Sequence, residues 1–338
     1  MPMVKCPMGM VKLGTFPAEG LRPRPRGWRG YLPGLLNRRM SFQLLRDPIV
    51  SANDSQLFND LMHLIRLSNG INRTTFRNRF ADLDKSVSTV LANRFNASTP
   101  LDVHDWAASD CITSVEWAET LLTAFPNASL TASDVALYLL EVLCPDGEVF
   151  IAERGGEPLQ YILGSFVVRL HPPEPKLLAL NYLLGKSGLR KFAQIRERIR
   201  PAAEHLDDGE TSVELPPYRV NKISLIHPKA VSLQKDNPRF RVQRHSIFDS
   251  LPKPVDVVRS MNIFNPAHFT EKQLMQGVKA VAESLKPGGI WIVGRTGSPG
   301  EVKSAVSILE NTPSGFRLLQ HFGNASDIEE IALRSLVP

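Results

Sequence analysis

Two aspartates lie at the ends of short apolar runs that read as β-strands. Asp105 lies near the end of residues 101–106, and Asp134 ends residues 130–134. A carboxylate at the end of the second strand of an open α/β sheet can accept hydrogen bonds from both hydroxyls of a ribose, as in dinucleotide folds. The two acids are somewhat further apart than the roughly 20 residues typical of such units. Asp134 is therefore the natural acceptor for two ribose hydroxyls.

A second group of polar residues lies at and after the strand predicted at 255–260. Arg259, Asn262 and Asn265 are expected to face a site in the following loop, with His268 behind them. An amide can make a polar contact to a reacting group, and an imidazole can act as a general base. Asn262 and His268 are therefore the candidate catalytic residues. The other histidines considered as bases are His104, His227 and His245.

Several other chemistries lack support in the sequence. No HExxH, GxSxG or P-loop pattern is present, which argues against a metalloprotease, a hydrolase and an NTPase. The cysteines are far apart and show no CxxC spacing, so neither a zinc site nor a disulfide framework is indicated. These cysteines are Cys6, Cys111 and Cys144. The prediction is a protein without a metal site, in the reducing environment of the cytoplasm.

The candidate residues need a parallel sheet to bring them together. Residues 101–106, 112–125 and 130–134 read as strand, helix and strand, which is the beginning of a βαβ fold. The alternation returns later in the chain, with predicted strands at 240–248, 255–260 and 290–293 and helices at 228–235, 270–285 and 301–309. A closing antiparallel pair is predicted from 316–320 and 328–333. The fold class predicted is α/β, with a mostly parallel seven-stranded sheet and helices on both faces.

Residues 99–338 are predicted to form this domain, with an insertion at 135–222. The insertion is expected to contain a β-hairpin with an Asp-Gly turn, a β-rich run and two helical stretches, at 175–184 and 187–205. A strand at 222–226 leaves two alternatives open: the central sheet resumes there, or the strand is an added one. Residues 41–98 are predicted to form an N-terminal helical cover.

The first forty residues carry most of the chain's net charge. The whole chain has a net charge of +6, and residues 1–40 hold eight basic residues against one glutamate, or about +7. The rest of the chain is close to neutral, so it would release few counterions on binding nucleic acid, and no nucleic-acid partner is expected. This leader is rich in proline and glycine and is predicted to be poorly ordered. A transit peptide and a true start at Met40 are the two alternatives for it.

No run of about 18 apolar residues occurs, so no transmembrane span is expected.

Three segments, taken in order, resemble class I S-adenosylmethionine (SAM)-dependent methyltransferases. Residues 254–296 contain an aspartate opening a strand, an Asn-rich loop, an amphipathic helix and a Lys-Pro-Gly-Gly turn into a further strand. Residues 240–252 look like the family's third strand and loop. Residues 105–121 resemble its first motif, an acid followed by a small-residue loop and a helix. The resemblance implies a Rossmann-like fold with SAM as cofactor.

The resemblance also implies cofactor-binding residues. Asp105 takes the acidic position of the first motif, and Ala107, Ser109 and Cys111 occupy places where glycines are typical. Glycines there let the backbone approach a ligand closely. A second register, with Asp102 as the acid and His104 at the first glycine, is sterically worse.

The remaining implied contacts come from the other segments. The adenine-binding position falls on Ser246, with Phe248 and Asp249 just after it, and Asp249 is an alternative acid. Asp134 would bind the ribose, and Asn262 would lie near the methyl group. The Asn-Pro pair at 265–266 resembles part of the Asn-Pro-Pro-aromatic motif of amino-methylating enzymes.

The function implied is SAM-dependent methyl transfer to a small-molecule acceptor. An alternative is a catalytically inactive methyltransferase-like protein that binds a partner, because Ala107, Ser109, Cys111 and Ser246 all depart from the family pattern at cofactor positions. A third is another nucleotide-fold enzyme such as an NAD-dependent oxidoreductase, against which the absence of GxGxxG after the first strand counts.

Overall fold

The structure of the chain is a computed structural model. It describes residues 41–47, 50, 56–68, 70, 73, 75–164, 166–173, 179–296 and 304–334, together with the backbone of two short paired strands at Met3–Lys5 and Thr15–Pro17. The rest of the predicted leader 1–40, including the proposed start at Met40, lies outside the described residues.

The described elements alternate between strands and helices along most of the chain. The strands are β1 (Met3–Lys5), β2 (Thr15–Pro17), β3 (Asp102–Trp106), β4 (Ser129–Asp134), β5 (Tyr138–Leu143), β6 (Val149–Glu153), β7 (Pro158–Leu163), β8 (Phe166–Arg169), β9 (Ser212–Leu215), β10 (Tyr218–Ser224), β11 (Phe240–Arg244), β12 (Val255–Met261), β13 (Leu285–Arg295), β14 (Ala305–Thr312) and β15 (Gly315–Gly323). The helices are a 3-10 helix (Phe42–Arg46), α1 (Gln56–Leu64), α2 (Ala81–Arg94), α3 (Ile112–Ala124), α4 (Ala179–Ile199), α5 (Ala202–Asp207), α6 (Pro228–Asp236), α7 (Glu271–Ser284) and α8 (Glu329–Arg334).

Seven strands form the central sheet in the order β11-β4-β3-β12-β13-β14-β15. The first five are mutually parallel, and β14 and β15 complete the sheet antiparallel. The order reverses at β3, where the chain first moves outward through β4 and β11 and then returns to β12. Open α/β sheets bind ligands at such a switch point, beyond the carboxyl ends of the strands. The Rossmann-like, mostly parallel seven-stranded fold predicted from the sequence is therefore confirmed.

Helices cover both faces of this sheet because successive side chains of a strand point to opposite faces. On one face, Arg259 of β12 reaches Asp84 of α2 and the Thr113 carbonyl of α3. On the other face, Trp106 belongs to a buried apolar cluster with Leu274 and Val278 of α7. A capping box at Thr270 fixes the start of α7.

The C-terminal elements differ from the prediction. The helix predicted at 301–309 is wrong for residues 305–309, because they belong to β14, where every residue from 305 to 310 is buried between two antiparallel neighbours. A run buried on both faces carries no alternation that would reveal a strand. The predicted pairing of 316–320 with 328–333 is also wrong: β15 pairs with β14, and residues 329–333 lie in α8.

The insertion contains more sheet than a hairpin. Strands β8-β7-β6-β5-β10-β9 form a six-stranded antiparallel sheet in that order, and β5 and β6 are the predicted hairpin. Strand β10 pairs with β5 and β9, so the strand predicted at 222–226 is an added one. Two helical stretches were expected, split near residue 186, but α4 is continuous. Helix α4 continues through Gly188, where glycine serves packing rather than termination. A Cβ at this position would lie 2.7 Å from the Tyr161 ring, so the missing side chain lets the helix and the sheet approach closely.

The chain divides into two compact units. One contains Met1–Thr74 and Ala136–Pro228, and the other contains Thr75–Val135 and Lys229–Pro338. Of the helices predicted for the N-terminal cover, α1 belongs to the first unit and α2 to the second. Among the residues that the structure describes, no helix is both long and apolar enough to cross a membrane.

Candidate functional site

The loop between β3 and α3 has an unusual backbone. Ala107, Ser109 and Cys111 have φ values of 55°, 57° and 69°. Residues with a side chain rarely adopt this left-handed region, because Cβ approaches the following carbonyl at a cost of roughly 1–2 kcal/mol. These are the three positions that the resemblance assigns to glycines. The loop therefore adopts a glycine-type backbone without glycine, and strain of this kind clusters at functional sites.

Hydrogen bonds hold the loop against the end of β4. The backbone N–H of Ala108 donates to the Ser133 carbonyl over 2.9 Å, and that of Ser109 donates to Asp134 Oδ2 over 2.9 Å. Cys111 is fully buried and precedes α3. The structure thus brings together two of the predicted cofactor-binding residues, Ser109 and Asp134, through a direct contact.

Asp134 also connects the loop to the end of β11. Its main-chain carbonyl accepts from the backbone N–H of His245 over 3.2 Å. The next residue, Ser246, accepts from the Asp249 N–H at its carbonyl and from the Phe248 N–H at its hydroxyl, which closes a tight turn. The predicted adenine-binding residues therefore share one turn beside Asp134. Phe248 is half-buried, and Asp249 is exposed.

Asp105 has different surroundings. The Arg259 guanidinium donates from Nε to Asp105 Oδ1 over 2.9 Å and from Nη2 to Oδ2 over 2.6 Å. Ser114 donates its hydroxyl to Oδ2 over 2.6 Å. Asp105 is 3% exposed and Arg259 is fully buried, above the Trp117 ring at 4.1 Å. Both carboxylate oxygens are thus engaged inside the protein, and Arg259 lies within β12 rather than facing the loop after it.

A second carboxylate completes this buried ion cluster. Arg259 Nη1 donates to Asp84 Oδ1 over 2.7 Å. Two carboxylates and one guanidinium leave one net negative charge away from water. The pKa of Asp84 is raised from 3.8 to about 6, mainly by burial; Arg259 opposes the rise, and the charge of Asp105 adds to it. Asp84 therefore takes up a proton in the folded protein at a higher pH than an exposed aspartate does.

Asn262 follows β12 at the same edge of the sheet. Ser260, Trp106 and Ser133 are aligned across β12, β3 and β4. Asn262 lies just beyond Ser260, so it is about two strand spacings, or roughly 10 Å, from Asp134 across the loop. Its φ is 60°, a conformation that asparagine tolerates better than most residues. Its side-chain carbonyl accepts from the Thr296 N–H over 3.1 Å, and its own N–H donates to the Gly294 carbonyl.

His268 lies in an exposed turn after this loop. Its backbone N–H donates to the Asn265 carbonyl, and Asn265 Oδ1 accepts from the Ala267 N–H. Asn265 is thereby engaged in holding the turn. No hydrogen bond between described residues links the His268 ring to Asn262, so the two candidate catalytic residues are not brought into contact.

The histidines nearest the site are held neutral. Burial, aided by the neighbouring His245, lowers the pKa of His104 to about 4. Burial also lowers the pKa of His245, whose ring packs against Trp106 with 4.6 Å between centroids. Neither imidazole carries a charge at neutral pH. His104 lies within β3 rather than at its carboxyl end, which does not favour it as a base.

Two further residues, Arg79 and Thr296, lie at this end of the sheet, and neither is among the site residues predicted from the sequence. Arg79 precedes α2 and donates from Nε to the Thr296 hydroxyl over 3.2 Å. Thr296 directly follows β13, so the rule that ligands bind beyond the strand ends could have identified it. Arg79 falls inside the segment predicted as a cover helix, and only its three-dimensional position reveals it.

Comparison with known proteins finds structural similarity alone. No protein-family model and no curated protein matches the chain. A Methanococcus maripaludis structure assigned as a SAM-dependent methyltransferase is 13% identical with a TM-score of 0.29, over 65% of this chain and 58% of that one. A sugar N-methyltransferase from Streptoalloteichus is 13% identical with a TM-score of 0.32, over 76% of this chain and 77% of that one.

Magnesium protoporphyrin IX methyltransferase from Synechocystis, with bound S-adenosylhomocysteine, is 9% identical with a TM-score of 0.29, over 64% of this chain and 55% of that one. The chain thus spans little more than half the length of the Methanococcus and Synechocystis proteins. Similarity of this degree concerns the fold alone.

Proposed function

We propose that this protein transfers the methyl group of SAM to a small-molecule acceptor. The observation that carries the proposal is the backbone of residues 107–111, where Ala107, Ser109 and Cys111 all adopt positive φ. Nothing in the packing of a plain strand-to-helix connection requires three strained residues in five. A backbone that must approach a ligand closely does require them, and the strain is tolerated where binding benefits.

The residues around the loop suit a nucleoside. Asp134 accepts from the Ser109 N–H at Oδ2, and a carboxylate has about four acceptor sites in total, a number that also suits ribose hydroxyls. The turn at 246–249 supplies Phe248 as an apolar surface and Ser246 as a polar group for an adenine ring. The small side chains of Ala107 and Ser109 leave room where glycines are typical of the family.

When bound, SAM supplies an electrophilic methyl group on a sulfonium. Displacement at such a carbon needs in-line alignment more than covalent help from the protein. Asn262 contributes by position: its carbonyl is fixed by Thr296, which orients the amide group at the strand edge. In this proposal Asn262 orients the acceptor, and His268 remains the candidate base, which would need the 265–268 turn to move inward.

Calorimetric titration with SAM and S-adenosylhomocysteine tests the proposal. We expect micromolar binding by the wild type and a loss of at least tenfold in Asp134→Ala, because hydrogen bonds to a charged group contribute about 1.5–3 kcal/mol each. Asp236→Ala is the matched control, because Asp236 is an exposed acid at the end of α6 and is not a predicted site residue. Absence of binding by a well-folded wild type at millimolar SAM overturns the proposal.

A second candidate function is supported by the surroundings of Asp105. The acid that the family uses in its first motif is here committed to Arg259 and Ser114. A methyltransferase-like protein that has lost its cofactor and binds a partner would have this property. It predicts that the protein fails to bind SAM while remaining folded, and that it forms a stable complex with another protein.

A further inference from the structure

Arg79 connects the segment before α2 to the carboxyl edge of the central sheet. Its Nε donates to the Thr296 hydroxyl over 3.2 Å, and the Thr296 N–H donates to Asn262 Oδ1 over 3.1 Å. Three segments distant in sequence thus meet in one hydrogen-bonded series. Because Asn262 and Thr296 follow adjacent parallel strands, this series lies where ligands of such sheets bind.

The guanidinium of Arg79 lies among aromatic rings. Its Cζ is 5.2 Å from the centroid of Phe76 and 5.7 Å from that of Phe80. The side chain is partly buried, and this burial lowers the pKa of Arg79, although arginine remains charged at any physiological pH. A cation kept partly from water binds an anion more strongly than one in bulk solvent.

A neighbouring arginine shows what an arginine with a purely structural role looks like. Arg259 lies 5.2 Å from the same Phe80 ring, but Asp84 and Asp105 engage it on both sides, and it is fully buried. Arg79 is only partly buried and reaches the strand edge. The two guanidiniums therefore lie near one aromatic ring and differ in burial and in position relative to the carboxyl ends of the strands.

We propose that Arg79 binds an oxyanion group of the methyl acceptor, a carboxylate or a phosphate, beside Asn262. The planar fork of arginine matches such groups, and flanking aromatic rings pre-orient it. The acceptor class is thus an anionic small molecule. This inference rests on the proposed methyl transfer for the identity of the ligand as an acceptor, but the anion site itself is a property of these residues.

Binding of two simple anions to the full chain tests the site. Benzoate and inorganic phosphate are titrated calorimetrically, each with and without saturating SAM, into the wild type, Arg79→Gln and Arg79→Lys. We expect one of the two anions to bind the wild type in the millimolar range or tighter, and its identity separates a carboxylate from a phosphate acceptor. Arg79→Gln should weaken that binding at least tenfold, and Arg79→Lys by less.

Arg295→Gln is the matched control. It removes the same charge from the residue next to Thr296, but Arg295 pairs with Asp327 over 3.1 Å. The affinity of Arg295→Gln for the anion should stay within twofold of that of the wild type. The inference is overturned if neither anion binds the wild type, or if Arg79→Gln and Arg295→Gln weaken binding equally.

The two proposals fail in different ways. If the wild type does not bind SAM, the proposed methyl transfer is contradicted, while the anion titrations without SAM still test the anion site. Both proposals are supported if the wild type and Arg79→Gln bind SAM with equal affinity and only the variant loses binding of the anion. Arg79→Lys, which keeps the charge, decides the question if Arg79→Gln does not fold: unchanged affinity in this variant argues against a bidentate site.

Discussion

Asp105 and Asp134 lie near the carboxyl ends of neighbouring strands, yet the residues around them make different kinds of contact. The Asp105 carboxylate accepts from the side chains of Ser114 and Arg259, beneath α2 and α3. The Asp134 carboxylate accepts from the backbone N–H of Ser109, in the strained loop at the carboxyl end of β3. The first region is a buried ion cluster inside the fold, and the second is a strained backbone segment at the carboxyl end of the sheet.

The difference follows from the position along the strands, because Asp105 lies opposite Ala132, two residues before Asp134. Asp105 is the residue before the last in β3, so its side chain shares a face with Val103 and points beneath α3. Asp134 is the last residue of β4, where the next segment turns away. An acid in a strand is thus a ligand candidate when it lies at the carboxyl end of the strand rather than beneath the covering helix.

The largest expected effect on stability comes from removing the Arg259 guanidinium beside Asp105. Arg259→Met leaves Asp84 and Asp105 buried without a counterion, and breaking a buried pair in this way costs about 3–5 kcal/mol. We expect a loss of that size in the free energy of unfolding, measured by urea denaturation. Arg295→Met, which breaks an exposed pair with Asp327, should cost less than about 1 kcal/mol. Equal losses would show that the buried cluster has no special role.

The charge balance of the same cluster predicts a pH dependence. The pKa of Asp84 is raised to about 6, so between its ordinary value and 6 the folded state binds more protons than the unfolded one. The stability contributed by this group is therefore full below pH 4 and is lost as pH rises through 6, a total change of about 3 kcal/mol. Urea denaturation of the wild type and Asp84→Asn at pH 4.5 and pH 7 measures it.

Asp84→Asn keeps an acceptor for Arg259 and removes the titration. We expect the variant to gain stability relative to the wild type on going from pH 4.5 to pH 7. A difference between the two proteins that does not change with pH would contradict the raised pKa of Asp84.

The smallest expected effect concerns the strained loop beside Asp134. Ala107→Gly relieves a residue with φ of 55° and should raise the free energy of unfolding by up to about 1 kcal/mol, after the entropy cost of glycine. Ala108→Gly is the matched control, because Ala108 lacks positive φ, and it should cost about 0.5–1 kcal/mol. Equal losses in both variants, by urea denaturation, would mean that the loop carries no relievable strain.

Local patterns predicted the parallel part of the sheet well. Strands β3, β4, β11 and β12 and helices α3 and α7 appear where periodicity and turn residues indicated them. The resemblance supplied their connection. Strand β14 was mistaken for a helix because its residues are buried on both faces and show no alternation. Helix α4 was predicted as two helices because glycine is typical of helix ends, whereas the glycines of α4 allow close packing.

The site was less accessible to sequence reasoning. The spacing of Ala107, Ser109 and Cys111 was recognised, but their positive φ values cannot be read from residue types that normally avoid them. Arg259 and Asp84 are separated by 175 positions, and Arg79 and Thr296 by 217. Partners so distant are set by how the strands and helices pack, which no local pattern encodes.

The pairing of β5 with β10 has a consequence for how the chain folds. Strand β4 pairs with β11 between Leu130 and Phe240, so closing this contact in an unfolded chain would require a very long loop. Ser224 pairs with Tyr138, which brings the two ends of the insertion side by side. Once its antiparallel sheet has formed, the loop that remains to be closed is only the short segments on either side. Folding of the insertion thus lowers the entropy cost of closing the loop between β4 and β11. Contacts that are distant in sequence become nearly local in the partly folded chain.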